Sequence, residues 1–168
     1  MSNIPYILHP MEVASVIGTL TSDEDVLIAG LLHDTVEDCG VDPCEIREKF
    51  GPRVSALVQS ETENRHAELP QEESWKIRKE ESLRALHDTK DTNVRILWLG
   101  DKLSNMRSIA REYAKCGNEV FAGLHQTDPK MHEWYYRSIA EGLSELSDTA
   151  AYREFVTLIE TVFGNGDK

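Results

Sequence analysis

Two histidines and four acidic residues in this chain fall where they could share one metal ion. The stretch LLHDTVED sets His33 beside Asp34 after an aliphatic run, with Glu37 and Asp38 four residues after each. Neutral imidazoles and carboxylates are acceptors, as metal ligands must be. Neighbours on a helix point about 100° apart, so an adjacent pair grips one ion only if the ion sits close against the helix. Residues four apart share a face. Glu37 and Asp38 are therefore expected one turn beyond His33 and Asp34, beside an ion without being needed as ligands.

The other donors must come from distant segments. Asp101, in LWLGDKLSNM, follows Leu97, Trp98, Leu99 and Gly100. An unpaired aspartate is costly to bury in such a helix, and a cation would offset that cost. His9, in YILHPMEVA, stands just before Pro10, and Tyr6, Ile7 and Leu8 suggest a buried approach to it. Taken singly, each residue has a plainer reading: a chance HD pair, a capping histidine, a solvated helix end, or an aspartate paired with Lys102 or Arg107. The joint pattern H…HD..ED…D, spread over three expected helices, is far more specific than its parts.

The elements that must position these groups read as helices. Val13, Val16, Ile17 and Leu20 follow the spacing of one helix face, with Pro10 at the expected first residue. Ser22 or Asp23 can cap a second, strongly apolar helix that leads into LLHDTVED, and Gly40 is a stop. Asp42–Pro43 opens a helix to Phe50–Gly51, and Pro52 opens another. Residues 62–73 read as a loop, 74–86 as helix, and 93–112 as a second apolar helix. Gly100 inside that helix implies close packing. Asp128–Pro129 opens a further helix. A last one runs from about Thr149 to Phe163, ahead of a frayed tail at 164–168. No alternating strand pattern appears. The expected fold is all-α, several helices in one domain over 1–168, and not a simple four-helix bundle.

Composition narrows the function. The 168 residues suit one core. A net charge of −12 repels phosphate backbones and argues against general nucleic-acid binding. A metal ion and a few local cations can still reverse the field inside one cleft and admit a small phosphorylated substrate. No apolar run is long enough for a membrane span, and no secretory signal is visible. Three cysteines without a CxxC pair fit a reduced cytoplasm better than a disulfide framework. The sequence leaves oligomeric state open.

The motifs YILHPMEVA, LLHDTVED, EIREKFGPRVSALV and LGDKLSNMR closely resemble the hydrolase domain of the RelA/SpoT family and its stand-alone versions, the small alarmone hydrolases, within the HD phosphohydrolase superfamily. The resemblance covers residues 5–111; residues 112–163 look like a helical extension. It implies an all-helical fold holding one Mn²⁺ through His9, His33, Asp34 and Asp101. It implies Glu37 and Asp38 as the catalytic pair, and contacts from Asn105 and Ser108 to a bound nucleotide. The implied reaction is removal of the 3′-pyrophosphate of (p)ppGpp by water. Some stand-alone relatives act on NADPH instead, and a non-catalytic nucleotide-binding module is a third reading. Family members usually begin with another helix ending in a GQxRKG-like basic segment; this chain starts directly before the YIxHP-type motif, so the expected fold lacks that helix. Replacement cations are expected from the Trp75, Arg78, Lys79 region and from Lys102 and Arg107.

Overall fold

A computed structural model describes residues 5–63, 66 and 70–164, with the side chains of 71–73 left aside. Among the described residues the fold is all-α. The helices are α1 (Leu8–Ile17), α2 (Glu24–Leu32), α3 (Thr35–Cys39), α4 (Pro43–Phe50), α5 (Pro52–Glu61), α6 (Gln71–Asp88), α7 (Thr92–Cys116), α8 (Pro129–Gly142) and α9 (Ala150–Phe163), with short 3₁₀ turns after α7 and α8.

Side-chain caps start most of them. Asp23, Asp42, Asp91, Asp128 and Thr149 each accept from a backbone N–H in the first turn, satisfying a donor that helix geometry leaves without a partner. Gly40 ends α3 with φ 66°, a left-handed conformation that favours glycine.

The 25-residue α7 is the axis. It packs against α1, α2, α5 and α9, and its Leu97, Leu99, Leu103 and Met106 are fully buried. Burying each such side chain contributes roughly 1.5–3 kcal/mol. Helix α1 crosses α7 at Gly100, as expected from that glycine: a Cβ there would meet Ile17 Cγ1 at 2.9 Å and the Val13 carbonyl at 3.3 Å. The same Ile17 covers Gly30 of α2. Two glycines thus let the segments that carry His9, His33 and Asp101 approach one another. Buried residues from every helix but α3 join one apolar cluster, so the C-terminal segment packs on the helices that carry His9, His33 and Asp101.

Four expectations change. Helix α1 begins at Leu8, so Pro10 is its third residue; the first turn needs no N–H from it. Tyr6, Ile7 and Leu8 are exposed, not a buried approach. LLHDTVED is not one continuous helix: α2 stops at Leu32 and α3 starts at Thr35. Thr35 Oγ1 donates to the Leu32 carbonyl at 2.6 Å in that turn, where a side-chain bond competes with the helical ladder. Helix α6 begins at Gln71, which shortens the expected loop. Residues 1–4, most of 64–69 and the expected tail at 165–168 lie outside the described residues.

Candidate metal centre

His9 rides the first turn of α1, His33 follows the end of α2, and Asp101 lies mid-way along α7. Their ligand atoms converge: His9 Nε2 is 3.2 Å from His33 Nε2 and 3.2 Å from Asp101 Oδ1, and His33 Nε2 is 3.5 Å from Asp101 Oδ1. All three lie within 4.8 Å of one another, the grouping among the described residues suited to a metal ion. An octahedral ion with ligands at about 2.1 Å keeps neighbouring donors about 3 Å apart. The observed edges match that sphere.

Asp34 sits at its margin. Its Oδ2 is 3.1 Å from His33 Nε2 and 3.7 Å from His9 Nε2, and it accepts a hydrogen bond from the Tyr6 hydroxyl. The break between α2 and α3 turns this carboxylate toward the imidazoles, which a straight helix would have splayed from its neighbour.

The donor chemistry also fits a cation. His33 is 2 % exposed and its Nδ1 donates to the Gly30 carbonyl at 2.9 Å. That bond directs the Nε2 lone pair into the site, the usual way a ligating imidazole is set. Two Nε2 atoms then face each other at 3.2 Å beside a 4 %-exposed aspartate, an arrangement that a shared cation relieves. Burial pushes the Asp101 carboxyl up, but Lys102 and the two imidazoles outweigh it and hold the group well below the carboxylate range. Asp101 Oδ2 accepts from Lys102 Nζ at 2.5 Å, and Oδ1 from Asn105 Nδ2 at 2.7 Å. Burial raises Asp34 too, yet His33 draws it down on balance. Both acids are thus kept ionised, as ligation requires.

His9, Asp34 and Asp101 line a cleft of about 490 Å³. Glu37 and Asp38, carried by α3, line it, although they reach it from a separate short helix and not from one turn further along α2. Burial, with the Glu63 charge nearby, raises the Glu37 carboxyl, which also accepts from the Glu63 backbone N–H. Lys102, Asn105 and Ser108 also line the cleft. Arg107 is placed elsewhere: its guanidinium forms two 2.7 Å bonds to Glu154 of α9 and one of 3.2 Å to Glu12. Three residues on from Ser104, it lies on the helix face toward α9. Arg78 and Lys79 do reach the cleft wall, where Glu63 accepts from both, at 3.2 and 2.6 Å. Trp75 is buried behind them against Tyr135 and His132.

Several neighbours escaped the sequence reading. Glu61, the last residue of α5, and Glu63, just beyond it, line the cleft; the first gave no signal and the second fell in the polar run that reads as loop. Arg111 joins them. Behind His9 stand Ser104 and Glu12, both three residues from a ligand, a spacing that could have drawn attention.

A model of the HD domain matches residues 1–128. The chain belongs to the HD domain family. Among curated proteins, this HD domain chain is 31 % identical over 146 residues to the guanosine-3′,5′-bis(diphosphate) 3′-pyrophosphohydrolase of Aquifex aeolicus, covering 79 % of this chain and 20 % of that protein. It is 37 % identical over 112 residues to a GTP pyrophosphokinase of Myxococcus xanthus, covering 64 % and 14 %. The chain thus spans a fifth or less of the length of these relatives. Among solved structures, lmo0812 from Listeria monocytogenes superposes with TM-score 0.81 at 27 % identity, covering 94 % of this chain and 99 % of that one. A metazoan SpoT ortholog described as hydrolysing ppGpp superposes with TM-score 0.67 at 22 % identity, covering 93 % and 80 %, and shares the fold. No described helix is long and apolar enough to cross a membrane.

Proposed function

We propose that this HD domain chain is a Mn²⁺-dependent hydrolase that removes the 3′-pyrophosphate of (p)ppGpp. One observation carries the reading: His9, His33 and Asp101 converge on a single point at the edge of a cleft that Glu37 and Asp38 also line. The similarity to an Aquifex protein named for this reaction supports the substrate class. In this reading His9, His33, Asp34 and Asp101 hold the ion. A nitrogen and oxygen set without thiolate suits Mn²⁺. When bound, the ion supplies Lewis-acid polarisation of the phosphoryl group and makes water more acidic.

The chain's own residues do the rest. A water oxygen bonds to the phosphorus carried by O3′, the P–O3′ bond breaks, pyrophosphate leaves, and O3′ takes up a proton. Glu37 receives the proton that the water sheds; a carboxyl raised by burial is a better base near neutral pH than an ordinary one. Asp38, more exposed on the same short helix, orients the water. Lys102, Asn105 and Ser108 meet the nucleotide from α7, and Arg78, Lys79 and Arg111 supply positive charge to its phosphates from the cleft wall. These cations reconcile an acidic chain with an anionic substrate.

A nucleotide panel tests the substrate. Initial rates on ppGpp, pppGpp, NADPH and GTP are compared at equal concentration with Mn²⁺. The expected result is the highest kcat/KM for the two alarmones, and a higher value for NADPH would replace this reading with that of a nucleotide phosphatase.

A further inference from the structure

His9 is held from behind by a chain of hydrogen bonds that crosses three helices. Its Nδ1 lies 3.0 Å from Ser104 Oγ. The hydroxyl in turn lies 2.7 Å from Glu12 Oε2. Ser104 is fully buried, so these two contacts account for its hydroxyl. A hydroxyl has one proton to give, and an ionised carboxylate can only accept. The Ser104 proton therefore goes to Glu12, and the Ser104 oxygen accepts from His9 Nδ1–H. The opposite assignment would leave two oxygens 2.7 Å apart without a proton between them.

The consequence falls on the other ring nitrogen. With Nδ1 protonated, a neutral His9 carries its lone pair on Nε2, the atom that faces His33 and Asp101. Glu12 is fixed in its own turn: Arg107 donates to its Oε1 at 3.2 Å and is itself clamped by Glu154 of α9. His9 and Glu12 belong to α1, Ser104 and Arg107 to α7.

We propose that Ser104 and Glu12 are positioning residues that hold His9 in the Nδ1–H form and aim Nε2 at the metal, with the Arg107–Glu154 pair bracing the array from the C-terminal helix. This rests on the metal-binding reading above but not on the identity of the nucleotide. It gives the C-terminal segment a role in the site. It also gives Arg107, whose guanidinium is taken up by Glu12 and Glu154, a task other than substrate contact. His33 is set in the same sense by a backbone carbonyl, which side-chain substitution cannot remove; the His9 arm is the one that substitution can reach.

The test uses two nearly isosteric variants, Ser104→Thr and Ser104→Val, in the full chain. Threonine keeps the hydroxyl and valine removes it, so the added methyl is common to both. Affinity for Mn²⁺ is measured by competition with a chelator, and melting of the metal-free protein is followed separately. The expected result is near wild-type affinity for Ser104→Thr and a loss of about ten- to a hundredfold for Ser104→Val, a range typical for partners of metal-bound histidines. Should the buried site reject both side chains, Glu12→Gln and Glu12→Leu ask the same question at a half-buried position. Glutamine still accepts the Ser104 proton and retains most of the affinity, and leucine loses it. Equal affinities within both pairs would overturn the positioning role alone. Failure of the wild-type chain to bind Mn²⁺ would overturn the metal reading and this proposal with it.

Discussion

Glu61 Oε2 and Lys102 Nζ face each other at 3.9 Å at the inner wall of the cleft, and the lysine spans from there to Asp101 at 2.5 Å. The Glu61 side chain is 4 % exposed, and its Oε1 has no hydrogen-bond partner among the described residues. Burial, joined by the charges of Asp101 and Asp34 and only partly countered by Lys102 and His33, pushes this carboxyl up to about 8.

That placement makes the metal-free protein sensitive to pH. The folded-state value lies above the ordinary 4.5, so the stability that Glu61 contributes is fully present below about 4.5 and is lost as pH rises through about 8. Glu61→Gln removes the titration. In excess chelator the variant and the wild type should be about equally stable at pH 4. At pH 8.5 the variant should be more stable by on the order of 5 kcal/mol. Denaturant titrations at the two pH values check this; a constant difference would show that Glu61 does not titrate in the folded protein.

Asp101 and Glu37 are expected to fail in different ways. Asp101→Ala should lose metal and activity together, since Oδ1 sits against both imidazoles. Glu37→Gln should keep the metal, measured by elemental analysis after gel filtration, and lose a factor of about 10²–10⁴ in kcat. If Glu37→Gln emerges metal-free, the division between ligands and proton-handling acids is wrong.

The glycine at the α1–α7 crossing gives a packing prediction. Gly100→Ala should improve local helix propensity by about 1 kcal/mol. Its methyl, however, meets Ile17 Cγ1 at 2.9 Å and the Val13 carbonyl at 3.3 Å. Overpacking of this kind costs about 1–3 kcal/mol, so the melting temperature should fall. The same shift separates α1 from α7, so metal affinity should fall with it; a more stable variant would contradict the tight crossing.

Arg107→Met separates bracing from substrate contact. The guanidinium is directed at Glu12 and Glu154, so KM for the nucleotide should change less than twofold, while Lys79→Met should raise KM about tenfold or more. Steady-state kinetics under saturating Mn²⁺ distinguish the two.

How much of this was legible in the sequence depends on whether a local rule decides the outcome. Asp42–Pro43, Asp128–Pro129 and Thr149 mark helix starts because capping is a contact over two or three residues. Gly100 announced a close approach because a helix-interior glycine is costly without one. The ligands His9, His33 and Asp101 stood out through residue type and apolar surroundings. The break at His33–Asp34 was not legible: an apolar helix and a helix with one tight turn share the same periodicity. The last turn of α5 was equally hidden, since Glu61 is a surface residue by composition and its burial beside Lys102 depends on α5 and α7 coming together. Exposure of Tyr6, Ile7 and Leu8 was also beyond pattern reading, because apolar type does not dictate burial.

The most direct measurement is pyrophosphate release from ppGpp by the purified chain. With Mn²⁺ bound and verified, the account predicts pyrophosphate and GDP in equal amounts, with turnover abolished by chelator and restored by added Mn²⁺. A metal-loaded, folded chain that releases no pyrophosphate from ppGpp would contradict it.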